Sequence, residues 1–297
     1  MNIKKMNRIK RNNILAYLLL APMIIVMTVL VFYPIVVTFM YSLRQMKLTR
    51  PQDHAFVGLQ NYLNVLQSED FQYSFQNTIF LLILVLVITI VGGFFVSYIL
   101  DYDSRVSGLL LALAILPWAL PPIVNGIVWR FIFHPGYGFA NKLLILLHLR
   151  AEPILWLSSR WLLLFVAAVV AAWRSVPFCA VVFLSAKRAI PEELHEAARI
   201  DGAGNYLVFK HITFPLMIPF IGIGITSTSV TAINIFDEII SLSGYGDLGK
   251  NLLIQDYLTT FSFLDFGKGS AQTYIIMLLS AVLGVLYIKN LYREVGY

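Results

Sequence analysis

Glu192-Glu193-Leu194-His195-Glu196-Ala197-Ala198-Arg199-Ile200-Asp201-Gly202-Ala203-Gly204 is a charged, alanine-rich stretch set between two long apolar runs. Pro191 just ahead suits a helix N-terminus, and Glu192 and Glu193 then fall in the first turn, where the helix dipole favours carboxylates. The pattern predicts a helix that stops at Gly202 and Gly204, followed by a second short helix over 206–212 leading to Pro215. Membrane helices have no packing reason to keep a polar helix between them. The stretch therefore reads as a contact for something outside the membrane, and the rest of the chain as the apolar body that carries it.

The composition agrees. Of 297 residues 59% are hydrophobic and 13% are charged, the latter about half the ~25% usual in soluble domains. So few polar residues cannot coat a soluble surface, and the chain reads as an integral membrane protein. A single cysteine, Cys179, excludes an internal disulfide and a cysteine metal cluster. The net charge of +6 is explained by basic residues collecting in cytoplasmic loops rather than by nucleic acid.

Crossing a hydrocarbon core takes about 20 apolar residues in a helix. Six stretches qualify: 14–43, 77–100, 108–133, 161–186, 215–240 and 272–291. They define an all-α polytopic membrane protein: a cytoplasmic basic head over 1–13, then one transmembrane domain over 14–297 with a polar loop at 187–213. The first apolar run is longer than the ~7–15 residues of a signal-peptide core, so it reads as an uncleaved span. Pro22 and Pro34 within it can kink it or mark the membrane boundary. Lys4, Lys5, Arg8, Lys10 and Arg11 precede it and place the amino end inside. Six spans then put the carboxyl end inside as well. Twelve lysines and arginines fall in the inside segments and eight in the outside loops, with Arg130 and Arg174 within spans.

Several pieces, in this order and spacing, carry a family resemblance. Within the polar loop they are Glu196-Ala197-Ala198, Asp201-Gly202-Ala203 and Ile212-Thr213-Phe214-Pro215. Elsewhere they include Phe32-Tyr33-Pro34, Phe56-Val57-Gly58-Leu59-Gln60-Asn61-Tyr62, Leu116-Pro117-Trp118-Ala119-Leu120-Pro121-Pro122, Trp129-Arg130-Phe131-Ile132-Phe133, Trp173-Arg174-Ser175-Val176-Pro177-Phe178 and Asp265-Phe266-Gly267. The loop resembles the EAA loop of binding-protein-dependent ABC importer permeases. The whole chain resembles the maltose/glycerol-phosphate type, in particular the maltose-F or lactose-F kind of subunit. Phe214 stands where the family usually has leucine. Tyr245 and Asp247 depart from its glycine-rich turn after the fifth span.

The resemblance implies a type I ABC importer permease fold with six transmembrane helices and a cytoplasmic coupling helix in the EAA loop. It implies a multi-pass subunit of a bacterial or archaeal plasma membrane that imports a mono- or oligosaccharide. The partners implied are a second related permease forming a heterodimer, two ATPase subunits, an extracytoplasmic solute-binding protein, the carbohydrate and membrane lipid, with no nucleic acid. No cofactor is expected on this chain, because ATP and Mg²⁺ belong to the ATPases. Coupling falls to Glu192, Glu193, Glu196, Ala197, Ala198, Asp201, Gly202 and Ala203. The alanines let a helix seat closely in a cleft, Glu196 can accept charge-assisted hydrogen bonds, and Gly202 allows a turn with positive φ.

Polar residues inside spans are costly and often functional. Trp173, Arg174 and Ser175 lie near mid-depth in the fourth span. Ser227, Thr228, Ser229, Thr231 and Asn234 lie near or beyond the middle of the fifth. Ser227 and Thr231 share a helix face, as do Thr231 and Asn234. Hydroxyls, an amide and an aromatic make a wall suited to a sugar, so Trp173, Ser175, Ser227, Thr231 and Asn234 are the candidate substrate residues. Interhelical hydrogen bonding is the alternative use of such serines and threonines. By resemblance, the maltose-type sugar patch maps to Ala171, Ser175, Thr231 and Asn234, and Ala171 brings no polar group. Arg174 calls for a partner, with Asp237 and Glu238 available, while Arg130 can snorkel at its span end.

Gly244 to Lys250 fits the start of a phosphate-binding loop. Asn251 replaces the hydroxyl that would hold magnesium, and no buried strand precedes the segment, so that reading is rejected. The five histidines show no metal-ligating pair, and no catalytic constellation is present. An importer for another solute, such as glycerol phosphate, remains the alternative within transport. An ion-coupled carrier would show internal repeats and a carboxylate relay, and neither is visible.

Overall fold

The structure, a computed structural model, describes residues 17–50, 52, 54–101 and 107–294. The basic head, Arg105 and the rest of the turn at 102–106, and the last three residues lie outside them.

The order of helices follows from where the chain can and cannot keep its backbone bonded. Helix α1 (Tyr17–Ser42) is apolar and exposed along its length. It passes through both prolines. A π turn at Thr28–Phe32, closed by Tyr33 N–H donating to Thr28 O, widens the helix just ahead of Pro34, where a normal turn would meet the pyrrolidine ring. Helix α2 (Gln60–Gln67) lies in the following loop. Helix α3 (Glu69–Leu100) starts at Ser68, whose Oγ accepts from Phe71 N–H, with Glu69 and Asp70 in the first turn.

The third apolar run is not one helix. It forms α4 (Ser107–Ala119) and α5 (Pro122–Ile132), which meet at 100°. Leu120 and Pro121 each precede a proline, which disfavours helical backbone, and two consecutive prolines offer no N–H to carry the helix across. Helix α6 (Phe139–Leu146) follows, then α7 (Arg160–Arg188), which absorbs Pro177 without a break. Helix α8 (Glu192–Ile200) is the polar helix. The separate short helix expected over 206–212 is instead the start of one 29-residue helix, α9 (Asn205–Ile233), with a π turn at Phe209–Thr213 ahead of Pro215. The fifth apolar run then breaks at Asn234–Phe236 and resumes as α10 (Asp237–Ser243). Helices α11 (Leu252–Tyr257) and α12 (Phe266–Glu294) complete the described chain. Among the described residues five helices are long and apolar enough to cross a membrane, and the bent α4–α5 pair brings the number to six when its two arms are counted as one span. Among the described residues there is no strand, only isolated bridges.

The chain forms two compact units. One contains the described residues up to Gln67 with Tyr257–Ile275. Backbone bridges pair Arg44 with Phe56 and Lys47 with Asp265. Asn61 Nδ2 donates to the carbonyls of Ser42 and Arg44 at 2.9 and 2.8 Å, and Tyr274 OH donates to Ile35 O at 2.7 Å.

The other unit, Ser68–Asp256 with the described residues from Ile276 onward, holds the main core. Helices α3 and α7 pack along their length, and α9 lies against both. Gly93 permits the closest approach: a Cβ there would sit 2.8 Å from Cys179 Cβ. Cys179, Phe183 and Met217 are fully buried around this crossing. Opposite the polar helix, Asn77 ties three segments together. Its Oδ1 accepts from Arg160 Nε at 2.7 Å, and its Nδ2 donates to Lys250 O at 2.8 Å. Lys250 Nζ in turn reaches Asp70 at 2.7 Å and Asp247 at 3.1 Å. The lysine of the phosphate-loop lookalike is thus engaged in structural ion pairs. Burial disfavours its charge, but the two carboxylates outweigh burial and raise its pKa above 10.5. This pairing therefore holds below that value and weakens only as pH rises through the raised one.

Candidate functional site: a polar helix and two cavities

Helix α8 is capped at its C-terminus and, among the described residues, uncovered along its sides. Its C-terminus is closed by paired backbone bonds: Ala203 N–H donates to Ala198 O at 2.9 Å and Gly202 N–H to Arg199 O at 3.1 Å. Gly202 holds φ +81°, the left-handed geometry such a cap needs. Arg199 sits in the last turn, and Glu192 and Glu193 in the first, both matching the helix dipole. Glu192, Glu193, Glu196, Ala197, Asp201 and Gly202 are exposed, and Ala198 and Ala203 half-buried. Ile200 is 86% exposed and Tyr206 71% exposed. Such apolar groups beside carboxylates leave a mixed face that no other described residue covers. At the loop's other end, Lys187 Nζ lies 2.6 Å from Asp101 Oδ2 and Arg188 Nε 3.2 Å from Asp101 Oδ1.

Two cavities open in the α4–α10 region. One, of about 170 Å³, is lined by Trp118, Arg174, Ser175, Phe178, Ser227, Thr228 and Thr231. The other, of about 300 Å³, is lined by Pro122, Arg174, Val230, Thr231, Asn234, Phe236, Asp237 and Glu238. Arg174 and Thr231 line both. Of the candidates from sequence, Ser175, Ser227 and Thr231 meet at the first cavity, and Thr231 and Asn234 at the second. Trp173 lines neither: it packs edge-on against Trp129, ring centroids 5.7 Å apart. Ala171 is fully buried and contributes only its carbonyl, which accepts from Ser175 Oγ at 2.9 Å.

The cavity groups can both accept and donate hydrogen bonds. Thr231 Oγ1 donates to Ser227 O at 3.2 Å, and Asn234 Nδ2 to Val230 O at 2.8 Å. The hydroxyl oxygens keep accepting capacity, Asn234 keeps Oδ1 to accept and a second N–H to donate, and the Arg174 guanidinium on both cavities adds donors only. The aromatic wall comes from Trp118 and Phe178, not Trp173. The Pro117, Pro121 and Pro122 cluster was the available signal for Trp118, because it breaks the helix beside that residue.

Arg174 is paired with Glu238, not Asp237: Nε lies 3.6 Å from Oε1, with side-chain exposures of 22% and 4%. This Nε is buried and has no hydrogen-bond partner among the described residues. Glu238 stands at the start of α10, which packs on α5 so closely that a Cβ at Gly126 would collide with Ser241 Oγ.

Comparison with known proteins matches this architecture. A family profile described as the binding-protein-dependent transport system inner membrane component matches residues 90–293. The chain is 33% identical over 279 residues to the trehalose/maltose transport system permease protein MalF of Thermococcus litoralis, spanning 93% of this chain and 92% of that one. It is 30% identical over 286 residues to the sn-glycerol-3-phosphate transport system permease protein UgpA of Yersinia enterocolitica, spanning 95% and 96%. A solved chain of a bacterial ABC transporter involved in import of the acidic polysaccharide alginate has the same fold. Its TM-score is 0.82 at 19% identity, over 98% of this chain and 99% of that one. Long apolar helices with a polar helix set between α7 and α9 make the type I importer permease fold, and this chain belongs to the family of binding-protein-dependent transport system inner membrane components, the permease subunits of ABC importers.

Proposed function

We propose that this chain is one of two related permeases in an ATP-driven importer, and that it passes a carbohydrate delivered by an extracytoplasmic solute-binding protein. Two ATPase subunits carry ATP and Mg²⁺ and supply the energy. Both termini and the loop at 187–213 face the cytoplasm. There α8 seats in a cleft of an ATPase subunit through Glu192, Glu193, Glu196, Ala197, Ala198, Asp201, Gly202 and Ala203. ATP binding closes the ATPases and displaces α8, which switches the cavities from inward to outward access. Hydrolysis resets them.

The observation that carries this reading is α8 itself, a helix capped at its C-terminus whose polar and apolar faces no other described residue covers, set between two long apolar helices. For the solute, the hydroxyl and amide groups of the cavities, with Trp118 and Phe178 on the first, suit a hydroxylated, partly apolar ring. Similarity to a trehalose/maltose permease points the same way. Similarity to a glycerol-phosphate permease and the cation Arg174 on both cavities favour an anionic solute. Glu238 neutralises that cation, which makes an uncharged carbohydrate the better fit.

The test is uptake by proteoliposomes containing this chain with its second permease, ATPases and binding protein, offered a panel of radiolabelled sugars and glycerol phosphate. Uptake of a sugar should require internal ATP and survive an ionophore. Asn234→Ala should raise the apparent KM for that sugar. Loss of two hydrogen bonds at ~0.5–1.5 kcal/mol each corresponds to about 5- to 150-fold. Ionophore-sensitive uptake without ATP would overturn the pump, and uptake confined to glycerol phosphate would overturn the carbohydrate.

A further inference from the structure

Among the described residues no face of helix α8 packs extensively against another helix, so within them its displacement reaches the bundle through its two roots. Its C-terminal root leads through a short turn into α9. Its N-terminal root is the end of α7, and there Lys187 and Arg188 close on one carboxylate, that of Asp101, which caps α3. Lys187 Nζ also lies 3.8 Å above the ring of Tyr98, one turn back on α3. Just inside this cluster Leu100 packs with Ala180 and Leu184. The cluster thus lies immediately beyond the last packed layer of the α3–α7 pair, where the loop departs.

We infer that Asp101 is a positioning residue for coupling, holding the root of the α8 loop to the end of α3 so that α3 and α7 move as one body when α8 is displaced. This rests on the functional reading above and adds the route by which force enters the bundle. Two features separate the arrangement from an incidental surface pair. One carboxylate takes both cations through different oxygens, which fixes the direction of approach as well as the charge. The aromatic ring holds the lysine from the other side. Burial disfavours the charge on Asp101, but hydrogen bonds and charge from Lys187 and Arg188 outweigh it, and its pKa falls below 3.8. The clamp is therefore present above that value and lost only as pH falls through the lowered one. Arg188 is 58% exposed, and exposed ion pairs add little to stability, so removal of the clamp should be felt in coupling first.

The experiment measures sugar uptake and ATP hydrolysis together in proteoliposomes containing the complete importer. Asp101→Asn should lower uptake per ATP hydrolysed by ~2- to 30-fold, the range of coupling changes produced by residues away from either ligand. Hydrolysis itself should persist. Asp101→Glu should restore the ratio, and the Lys187→Met/Arg188→Met double variant should reproduce the loss from the other side of the clamp. If Asp101→Asn does not insert, the double variant carries the same test. An unchanged ratio, or uptake and hydrolysis falling in step, overturns the clamp. A wild-type importer without ATP-dependent uptake would instead overturn the functional reading, so the two failures are distinct.

Discussion

Gly202→Asp should cut ATP-driven uptake about 5- to 150-fold and leave the chain inserted at its usual level. Gly202 sits at φ +81° with no atom within 4 Å of where a Cβ would stand. A side chain therefore meets no steric block, but it must accept a backbone geometry that costs L-residues of the order of 1–3 kcal/mol. The turn responds by moving, and with it the end of α8 that Gly202 and Ala203 cap. Aspartate also adds a second carboxylate beside Asp201, at the negative end of the helix dipole. Displacement of α8, the handle proposed for the ATPases, at 1–3 kcal/mol corresponds to about 5- to 150-fold in productive engagement. The bundle core around Cys179, Phe183 and Met217 is untouched, which is why insertion persists. Glu196→Lys, an exposed charge reversal on the same helix, should give the same phenotype without any backbone strain. Gly202→Asn should retain more uptake than Gly202→Asp, since asparagine tolerates the left-handed region and adds no charge. Normal uptake with both Gly202→Asp and Glu196→Lys would remove α8 from the mechanism.

Glu238→Ala should destabilise the permease by about 3 kcal/mol, seen as a fall in the detergent melting temperature of roughly 5–10 °C. The side chain of Glu238 is 4% exposed, and its loss leaves the Arg174 guanidinium without its counter-charge. Breaking one half of a buried pair costs ~3–5 kcal/mol. The 22% exposure of Arg174 on two cavities lets water soften that cost. Replacing both residues, as Arg174→Met/Glu238→Met, should recover most of the lost stability, because the uncompensated charge is gone. If Glu238→Ala melts like the wild type, the pair does not hold α7 to α10. If the double variant melts as low as the single one, packing rather than charge is responsible.

Both results hinge on elements with different visibility in the sequence. The handle was plain because its signals are local: Pro191 opens it, Glu192 and Glu193 fit its first turn, and Gly202 ends it. The apolar runs were equally plain, since length and composition alone identify a crossing. Breaks within them were harder. The 108–133 run scores as one apolar helix, and only the Pro121-Pro122 pair reveals the right-angle bend. The break at Asn234–Phe236 has no proline or glycine to announce it. It is held from a distance by Asn251, whose Nδ2 donates to Ile235 O. The short helix expected after Gly204 merged into α9 because a π turn lets the chain approach Pro215 without stopping. Depth along a span did not predict facing: Trp173 and Ser175 are two residues apart, yet only Ser175 reaches a cavity. Glu238 was one of two partners the sequence offered Arg174, and only the break at Asn234–Phe236 selects it over Asp237, while Trp118 joins the site through the bend beside it.

The most direct test of the account is the sidedness and cover of α8. Glu193→Cys places a thiol at an exposed position of the helix, and native Cys179 is fully buried and silent. A membrane-impermeant maleimide should label this variant in inside-out vesicles and not in intact cells, and adding the ATPase subunits to stripped vesicles should protect it. Labelling in intact cells, or labelling that the ATPases leave unchanged, would contradict the assignment of α8 as the helix on which they act.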